Sequence, residues 1–168
     1  YSYDGLGRLL SKTNSNFDTT TYSYDTKLNT VTIVDAKGNK TVLTFDGIDR
    51  LIKSEVFDSK DKLVETRRLT YEASSNSVTE CIGNDGNCKR VVRNQFSKPI
   101  REEIFSPEKN EYVPTKVIHY DNNGNPIKIK DAKGNTTHLK YDSKNRVIEK
   151  TLPDGSVISY NHQNRGND

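Results

Sequence analysis

Short stretches of this chain alternate between two sets of side chains with a period of two residues. Thr41, Leu43 and Phe45 form one set in such a stretch, and Val42 and Thr44 form the other. A period of two places successive side chains on opposite faces of a β-strand. Because turn-forming residues interrupt these stretches about twice in each repeated unit, the pattern predicts roughly fifteen short strands and an all-β antiparallel sheet.

An aromatic residue followed by a polar, turn-forming residue recurs along the chain. Successive aromatic residues lie 21, 21, 26, 25, 24, 21 and 19 positions apart. A near-constant period in this range is typical of a repeat array rather than of a single globular enzyme core. We therefore predict one array over residues 1–168, with units anchored at Tyr3, Tyr24, Phe45, Tyr71, Phe96, Tyr120, Tyr141 and Tyr160.

The residues after each aromatic anchor have the composition of a tight turn. The polar residue is Asp in five units, at Asp4, Asp25, Asp46, Asp121 and Asp142. An Asp carboxylate accepts a hydrogen bond from the backbone N–H two residues on. Four positions after the polar residue come Arg8, Asn29, Arg50, Asn76, Arg101, Asn125 and Arg146. We expect each arginine to fold back along the sheet, cover a Tyr ring with its methylenes and leave its guanidinium solvated or paired with the Asp.

A second turn separates the two strands of many units. It is found in residues 35–39, 84–87, 131–135 and 153–155. Residues 31–53 and 127–149 align without a gap and share the turn Asp-Ala-Lys-Gly-Asn. Duplication of a unit explains this similarity best.

Three segments carry a recognisable motif. Residues 3–9 read Tyr-Asp-Gly-Leu-Gly-Arg-Leu, residues 45–52 read Phe-Asp-Gly-Ile-Asp-Arg-Leu-Ile, and residues 141–148 read Tyr-Asp-Ser-Lys-Asn-Arg-Val-Ile. These segments resemble the YD repeat of the RHS (rearrangement hot spot) proteins, and their spacing and intervening turns agree with it. The resemblance is weakest in residues 71–112, where Glu or Ser stands in the position of Asp.

The resemblance implies a long antiparallel sheet that coils into a spiral. In bacterial RHS toxins and in the C component of Tc toxin complexes, such a sheet closes into a hollow shell around a toxic C-terminal domain. In teneurins a similar barrel serves a cell-surface adhesion receptor, and bacterial wall-associated YD proteins are a third branch. The resemblance therefore implies a secreted or cell-surface bacterial scaffold with flanking repeats and a C-terminal effector domain as partners. A carbohydrate-binding adhesion module is the alternative.

The composition indicates a thin sheet and a piece of a larger polypeptide. Hydrophobic residues make up 31% of the chain, which even with Gly added falls short of the share of about 45–50% in soluble domains. The chain contains no Met and its first residue adjoins a motif, so we expect a fragment of a longer protein. No apolar run approaches the roughly 20 residues of a membrane-spanning helix, so we expect no membrane insertion by this segment.

Two cysteines flank a turn sequence. Cys81 and Cys88 enclose Ile-Gly-Asn-Asp-Gly-Asn, whose Asn-Asp-Gly core brings two strands back together, so the spacing favours a disulfide over two free thiols. The three histidines, His119, His138 and His162, are scattered, which argues against a zinc site. The Asp-rich loops lack the Gly and Glu that an EF-hand requires. We therefore expect no metal and no cofactor.

No catalytic or nucleic-acid-binding pattern stands out. Glu102 and Glu103 are adjacent in a strand-like stretch, so they point to opposite faces and do not share a substrate. Neither a G-x-S-x-G motif nor a phosphate loop occurs. The formal net charge is +3, but Lys and Arg lie close to Asp or Glu along the chain, which indicates a solvated sheet face rather than a phosphate-binding track. We expect neither an enzyme nor a partner nucleic acid.

The direction of the aromatic side chains separates a scaffold from a glycan binder. Leu43 and Phe45 share a strand face, as do Leu139 and Tyr141, so each aromatic lies beside an aliphatic residue. We therefore expect a structural aromatic ladder in the buried face, formed by Tyr3, Tyr24, Phe45, Tyr120 and Tyr141. Tyrosines exposed on the sheet would instead stack on sugar rings, which keeps glycans open as partners.

Overall fold

The computed structural model describes residues 1–83 and 86–162, and its regular structure consists of strands. The strands are β1 (Ser2–Tyr3), β2 (Leu9–Thr13), β3 (Thr19–Asp25), β4 (Thr30–Val34), β5 (Lys40–Phe45), β6 (Leu51–Phe57), β7 (Leu63–Glu72), β8 (Ser77–Ile82), β9 (Asn87–Arg93), β10 (Pro99–Ser106), β11 (Glu111–Tyr120), β12 (Pro126–Asp131), β13 (Thr136–Tyr141), β14 (Val147–Thr151) and β15 (Val157–Ser159). The predicted all-β antiparallel fold with about fifteen strands is confirmed.

The chain divides into two compact units. The first comprises Tyr1–Tyr71 and Val78–Cys88, and the second comprises Glu72–Ser77 and the residues from Lys89 onward. In the first unit, β1 to β7 pair antiparallel in the order of the sequence. In the second unit, β9 to β15 do the same. Within each unit, neighbours in the sheet are thus consecutive strands joined by a turn.

The strand register separates an apolar face from a polar face in the first unit. Tyr24, Val31 and Leu43 are direct cross-strand partners on one face of β3, β4 and β5. Ser23 and Thr32 are partners on the other face. Leu43 and Phe45 share the apolar face, because they are two positions apart within β5.

Few side chains are buried. The buried residues among those described are Thr66, Ser77, Val92, Glu103 and Ile118. The accessible surface is 12157 Å², whereas a compact monomer of 19.1 kDa has roughly 8,400 Å². Most side chains of the described residues thus remain partly exposed, which agrees with the low hydrophobic share of the sequence.

In the motif turns that pair an Asp with an Arg, the residue three positions after the Asp has a left-handed backbone conformation. The φ angle is 77° at Gly7, 61° at Asp49 and 59° at Asn145. Gly, Asp and Asn are the residues that adopt this conformation at the lowest cost. The sequence therefore determines where each hairpin reverses direction.

Candidate functional site: a ladder of turns and a groove between two of them

The Asp and Arg of the motif lock each turn internally. Asp4 Oδ1 accepts hydrogen bonds from the backbone N–H groups of Leu6 and Arg8, both at 2.9 Å. Arg8 Nε donates to Asp4 Oδ2 at 2.7 Å. The pairs Asp46–Arg50 and Asp142–Arg146 have the same bonds, again with 2.7 Å between Arg Nε and Asp Oδ2.

These hydrogen bonds favour the ionised carboxylates. The pKa values of Asp4 and Asp46 are lowered, mainly because the backbone N–H of the arginine four residues on donates to the carboxylate. The same cause lowers the pKa of Asp142 to about 2. In the second-turn sequence, the Asn39 side chain is the main cause that lowers the pKa of Asp35. The turns are therefore held by charged acceptors at neutral pH.

Two motif arginines, Arg8 and Arg50, lie over aromatic rings of the following repeated unit. Arg8 Cζ is 4.4 Å from the centroid of the Tyr24 ring, and Arg50 Cζ is 4.2 Å from that of Tyr71. Each guanidinium thus contacts the Asp of its own turn and the ring of the next unit. The sequence indicates that such an arginine covers a ring, but it does not indicate which ring.

A hydrogen bond from each of these tyrosines joins consecutive units. The hydroxyl donates to the backbone carbonyl that directly follows the fourth turn position of the preceding unit. We call this contact the tyrosine clamp; it comprises Tyr24 to Leu9 O at 2.9 Å, Tyr71 to Leu51 O at 2.9 Å, Tyr120 to Pro99 O at 2.9 Å and Tyr141 to Pro126 O at 3.0 Å. Sequence reasoning missed the clamp, although the recurrence of Tyr rather than Phe was a signal for a hydroxyl with a partner.

Two asparagines at the fourth turn position, Asn29 and Asn76, bond to the next unit where its anchor position holds Phe45 or Arg93 in place of a Tyr. Asn29 Nδ2 donates to the carbonyls of Phe45 and Asp46 at 3.0 and 2.7 Å. Asn76 Nδ2 donates to the carbonyls of Arg93 and Asn94 at 3.2 and 2.8 Å. Asn125 differs from these two, because it precedes the anchor Tyr141, whose hydroxyl does make the clamp.

The anchor predicted at Phe96, with Ser97 and Arg101, is wrong. Asn94 Oδ1 accepts the backbone N–H groups of Phe96 and Lys98 at 3.0 and 3.1 Å, as an Asp does in the other turns. Arg93 therefore takes the aromatic position and Lys98 the arginine position. The Lys98 ammonium lies 5.5 Å from the centroid of the Tyr120 ring. Asn94 accepts the two backbone hydrogen bonds that an Asp accepts in the other turns. This turn therefore forms without the Asp and the aromatic residue that define the sequence motif.

The predicted ladder aromatics are less buried than expected. Tyr3 is 59% exposed, so its predicted burial in the ladder is wrong, because β1 has a strand on one side only and is two residues long. The other ladder aromatics, Tyr24, Phe45, Tyr120 and Tyr141, are half-buried. Asp25 accepts hydrogen bonds from the N–H groups of Lys27 and Leu28, and Asp121 pairs with Asn125.

Cys81 and Cys88 form a disulfide, with their Cα atoms 4.0 Å apart. The two half-cystines lie in β8 and β9. The central residues of the intervening predicted turn, Asn84 and Asp85, lie outside the described residues.

A buried ion cluster occupies the stretch where the repeat pattern is weakest. The Glu103 side chain is 3% exposed and contacts Arg90 Nε at 2.5 Å and Arg101 Nε at 3.0 Å. Arg90 Cζ also lies 4.0 Å from the centroid of the Tyr112 ring. Glu102 lies on the other side of the strand and contacts Lys116 at 3.3 Å. The two adjacent glutamates thus have separate partners.

A groove of about 880 Å³ lies between the turns at residues 94–98 and 121–125 of the second unit. Phe96, which is 73% exposed, lines it together with amide and basic side chains. The lining includes Gln95, Arg101, His119, Asn122 and Asn123.

Residues 1–83 and 86–162 contain neither a group of metal ligands nor a membrane-spanning helix. No three His, Cys, Asp or Glu side chains in this part of the chain are grouped as metal ligands. No helix within it is long and apolar enough to cross a membrane.

Part of the second unit matches a known family model. Residues 120–157 match the model described as RHS Repeat. This stretch of the chain is similar to an RHS repeat. The resemblance to RHS and YD-repeat proteins is thereby confirmed, and the matched RHS repeat contains the Tyr141 clamp and the Asp142–Arg146 turn. No curated protein matches the sequence of the chain.

Solved structures share the fold of this chain. The crystal structure of TcdB2-TccC3-TEV is similar over 89% of the chain, with a TM-score of 0.69 and 20% identity. The crystal structure of TcdB2-TccC3-Cdc42 is similar over 90%, with a TM-score of 0.56 and 17% identity. The chain covers 9% of the length of each of these two proteins.

Proposed function

We propose that this chain is a non-catalytic scaffold, a section of wall in an exported bacterial RHS-type shell that encloses or presents a toxic effector domain. The observation that carries the proposal is the contact set that repeats from unit to unit: a locked turn, a cation over the next ring, and a clamp or its asparagine substitute. Flanking repeats and the effector domain of the same polypeptide are the proposed partners.

The motif side chains support a structural role because they bind one another. Asp46 accepts two backbone N–H groups and the Arg50 guanidinium. Arg50 contacts Asp46 and the Tyr71 ring. A general base or nucleophile needs a polar atom directed at a substrate, whereas these groups are directed at their own turn and at the next unit.

The uncovered apolar face supports an enclosing role. Tyr24, Val31 and Leu43 are half-buried on one face of the first unit. A sheet face of this kind gains free energy when another polypeptide covers it, at roughly 25 cal/mol for each Å² of apolar surface. An enclosed effector domain is the proposed cover.

The disulfide supports export. Disulfides persist in extracellular and periplasmic compartments and are rare in the cytosol. The Cys81–Cys88 bond therefore agrees with a secreted or cell-surface location in bacteria.

Limited proteolysis of the complete natural protein tests the shell. We expect the polypeptide that follows the repeats to resist a protease in the intact protein and to be digested rapidly when produced alone. The double variant Tyr120→Ala/Tyr141→Ala, which removes two clamps, should make it accessible. Equal digestion in the intact protein and alone would refute the enclosing role.

A carbohydrate-binding adhesion module is the second candidate. The specific observation in its favour is the groove that Phe96 lines, because an exposed ring with amide groups around it suits a sugar. The stacking group in this hypothesis is Phe96, whereas the sequence alone indicated the repeated tyrosines. The half-buried, clamped tyrosines of the ladder are engaged within the sheet.

A further inference from the structure

One aromatic anchor of the first unit lacks the cation that covers its counterparts. In two other repeated units, the arginine of the preceding turn lies over the anchor ring. Opposite Phe45 the chain has Asn29, whose carbonyl accepts the Phe45 backbone N–H at 3.0 Å. The Asn29 side chain donates to the carbonyls of Phe45 and Asp46. Among the described residues, no cation therefore lies over the Phe45 ring.

A hollow of about 250 Å³ lies at this place in the first unit. Tyr24, Val31 and Phe45 contribute its apolar lining, and Asp25 and Asp49 contribute its carboxylates. Pockets for drug-sized ligands measure roughly 300–1,000 Å³. The hollow is smaller than these, so it suits the end of one long side chain.

The charges in the lining favour a cation. Asp25 accepts two backbone N–H groups of its own turn through Oδ1, and its Oδ2 makes no bond to another described residue. The Asp49 side chain is exposed and has no partner among the described residues. Arg8, the cation in the lining, is already bound to Asp4 at 2.7 Å. The two carboxylates therefore retain acceptor capacity for a donor that enters the hollow.

The hollow lies on the apolar face of the first unit. Tyr24 and Val31 are direct cross-strand partners on this face, and Phe45 shares it with Leu43. A polypeptide that covers the apolar face therefore lies directly over the hollow.

We propose that the hollow binds one arginine side chain of the enclosed polypeptide. Its guanidinium stacks on the Phe45 ring, as the arginines of two other turns stack on their rings. Its N–H groups donate to the carboxylates of Asp25 and Asp49. A guanidinium is planar and presents its donors as a fork, so it stacks on a ring and donates to several acceptors at once, unlike an ammonium. The inference rests on the proposed enclosing function and names one contact of the enclosed polypeptide.

Titration of the 168-residue chain with three capped Gly-X-Gly tripeptides tests the hollow by NMR, where X is arginine, lysine or citrulline. Citrulline has the shape of arginine without its charge. We expect the arginine peptide to shift the backbone amide signals of Thr26 and Asn29, which line the hollow. It should bind about fivefold more tightly than the lysine peptide and about tenfold more tightly than the citrulline peptide.

Substitutions in the hollow should weaken binding of the arginine peptide without unfolding the chain, which far-UV circular dichroism checks. In Asp25→Asn/Asp49→Asn, the amide oxygen still accepts the turn N–H groups and Asn still adopts the left-handed conformation. This variant should bind about tenfold more weakly, and Phe45→Leu about fivefold. Phe57→Leu and Asp58→Asn are matched controls, because the Phe57 ring already has a cation over it and Asp58 holds a turn outside the hollow. Both should bind as the parent does.

The complete natural protein tests the source of the arginine. Thr26→p-benzoylphenylalanine places a photoreactive group at an exposed position of the lining. Irradiation should cross-link it to an arginine-containing segment of the polypeptide that follows the repeats, which mass spectrometry identifies. Arginine-peptide binding without this cross-link would overturn the enclosed polypeptide as the source.

The outcomes separate the hollow from the enclosing function. Equal binding of the arginine and citrulline peptides would overturn the arginine site, and protease resistance of the enclosed polypeptide would then still support the shell. Rapid digestion of that polypeptide in the intact protein, together with selective binding of the arginine peptide, would refute the shell and retain the arginine site.

Discussion

Two of the repeated units and the stretch from β9 to β11 lock their turns by different contacts. In the repeated units anchored at Tyr3 and Phe45, a charged Asp–Arg turn is followed by a tyrosine clamp from the next anchor. Between β9 and β11, the turn is centred on Asn94, and a buried Glu103 with two arginines lies within the strands. The comparison teaches that the repeat conserves hydrogen-bond positions in space rather than residue types.

The first test removes the ion cluster that replaces the regular contacts. Glu103→Ala removes the shared partner of Arg90 and Arg101, whose side chains are 31% and 47% exposed, and the loss of these two charged contacts should cost about 3 kcal/mol of unfolding free energy. Urea denaturation measures it. The matched control Glu102→Ala removes an ion pair whose members are both 41% exposed, so it should cost about 1 kcal/mol or less. Similar costs for the two variants would remove the distinction between the regions.

The second test removes a clamp from a regular unit. Tyr141→Ala should cost about 3 kcal/mol, because the ring packs in the half-buried ladder. Tyr141→Phe keeps the ring and loses only the hydroxyl bond to Pro126 O, so it should cost about 1 kcal/mol. Tyr22→Phe is the control, since no hydrogen bond from its hydroxyl to a described residue occurs. A Tyr141→Phe variant as stable as the parent would mean that the clamp adds no stability.

The third test concerns the asparagine that substitutes for the clamp. Asn76→Ala removes two hydrogen bonds to the backbone of the Asn94 turn and should cost about 1–2 kcal/mol. Asn123→Ala is the control, because that amide has no described partner. Denaturation midpoints compare the two. An Asn76 variant that unfolds with the control would show that the irregular stretch does not depend on this contact.

The smallest expected effect is an acid response of the Asp-centred turns. The pKa of Asp142 in the folded chain, about 2, is below the ordinary value near 3.9 of an unfolded Asp. Its contribution is therefore complete above pH 4 and is lost as pH falls from about 4 through 2. Unfolding midpoints measured from pH 5 to pH 2 should fall less steeply in Asp142→Asn than in the parent. Asn94→Ala, whose turn has no carboxylate, should retain the slope of the parent.

Sequence periodicity was sufficient for the strands and for the internally locked turns. The Asp, the left-handed residue and the Arg lie within five consecutive positions, so a local pattern contains the whole turn. The tyrosine clamp joins atoms 15 to 21 residues apart, and only the register reveals it.

The contact between an arginine and the ring of the following unit bears on how such arrays change length. One partner lies in the turn of one repeated unit and the other is the anchor of the next, as with Arg50 and Tyr71. An in-frame recombination event that copies whole repeated units therefore restores the pair at every new junction. The condition is that the residue at the fourth turn position of one unit can contact the aromatic anchor of the next. The similarity of residues 31–53 and 127–149 is consistent with such copying. Selection at a junction then acts on two residues about 20 positions apart, whose substitutions should be correlated among related arrays.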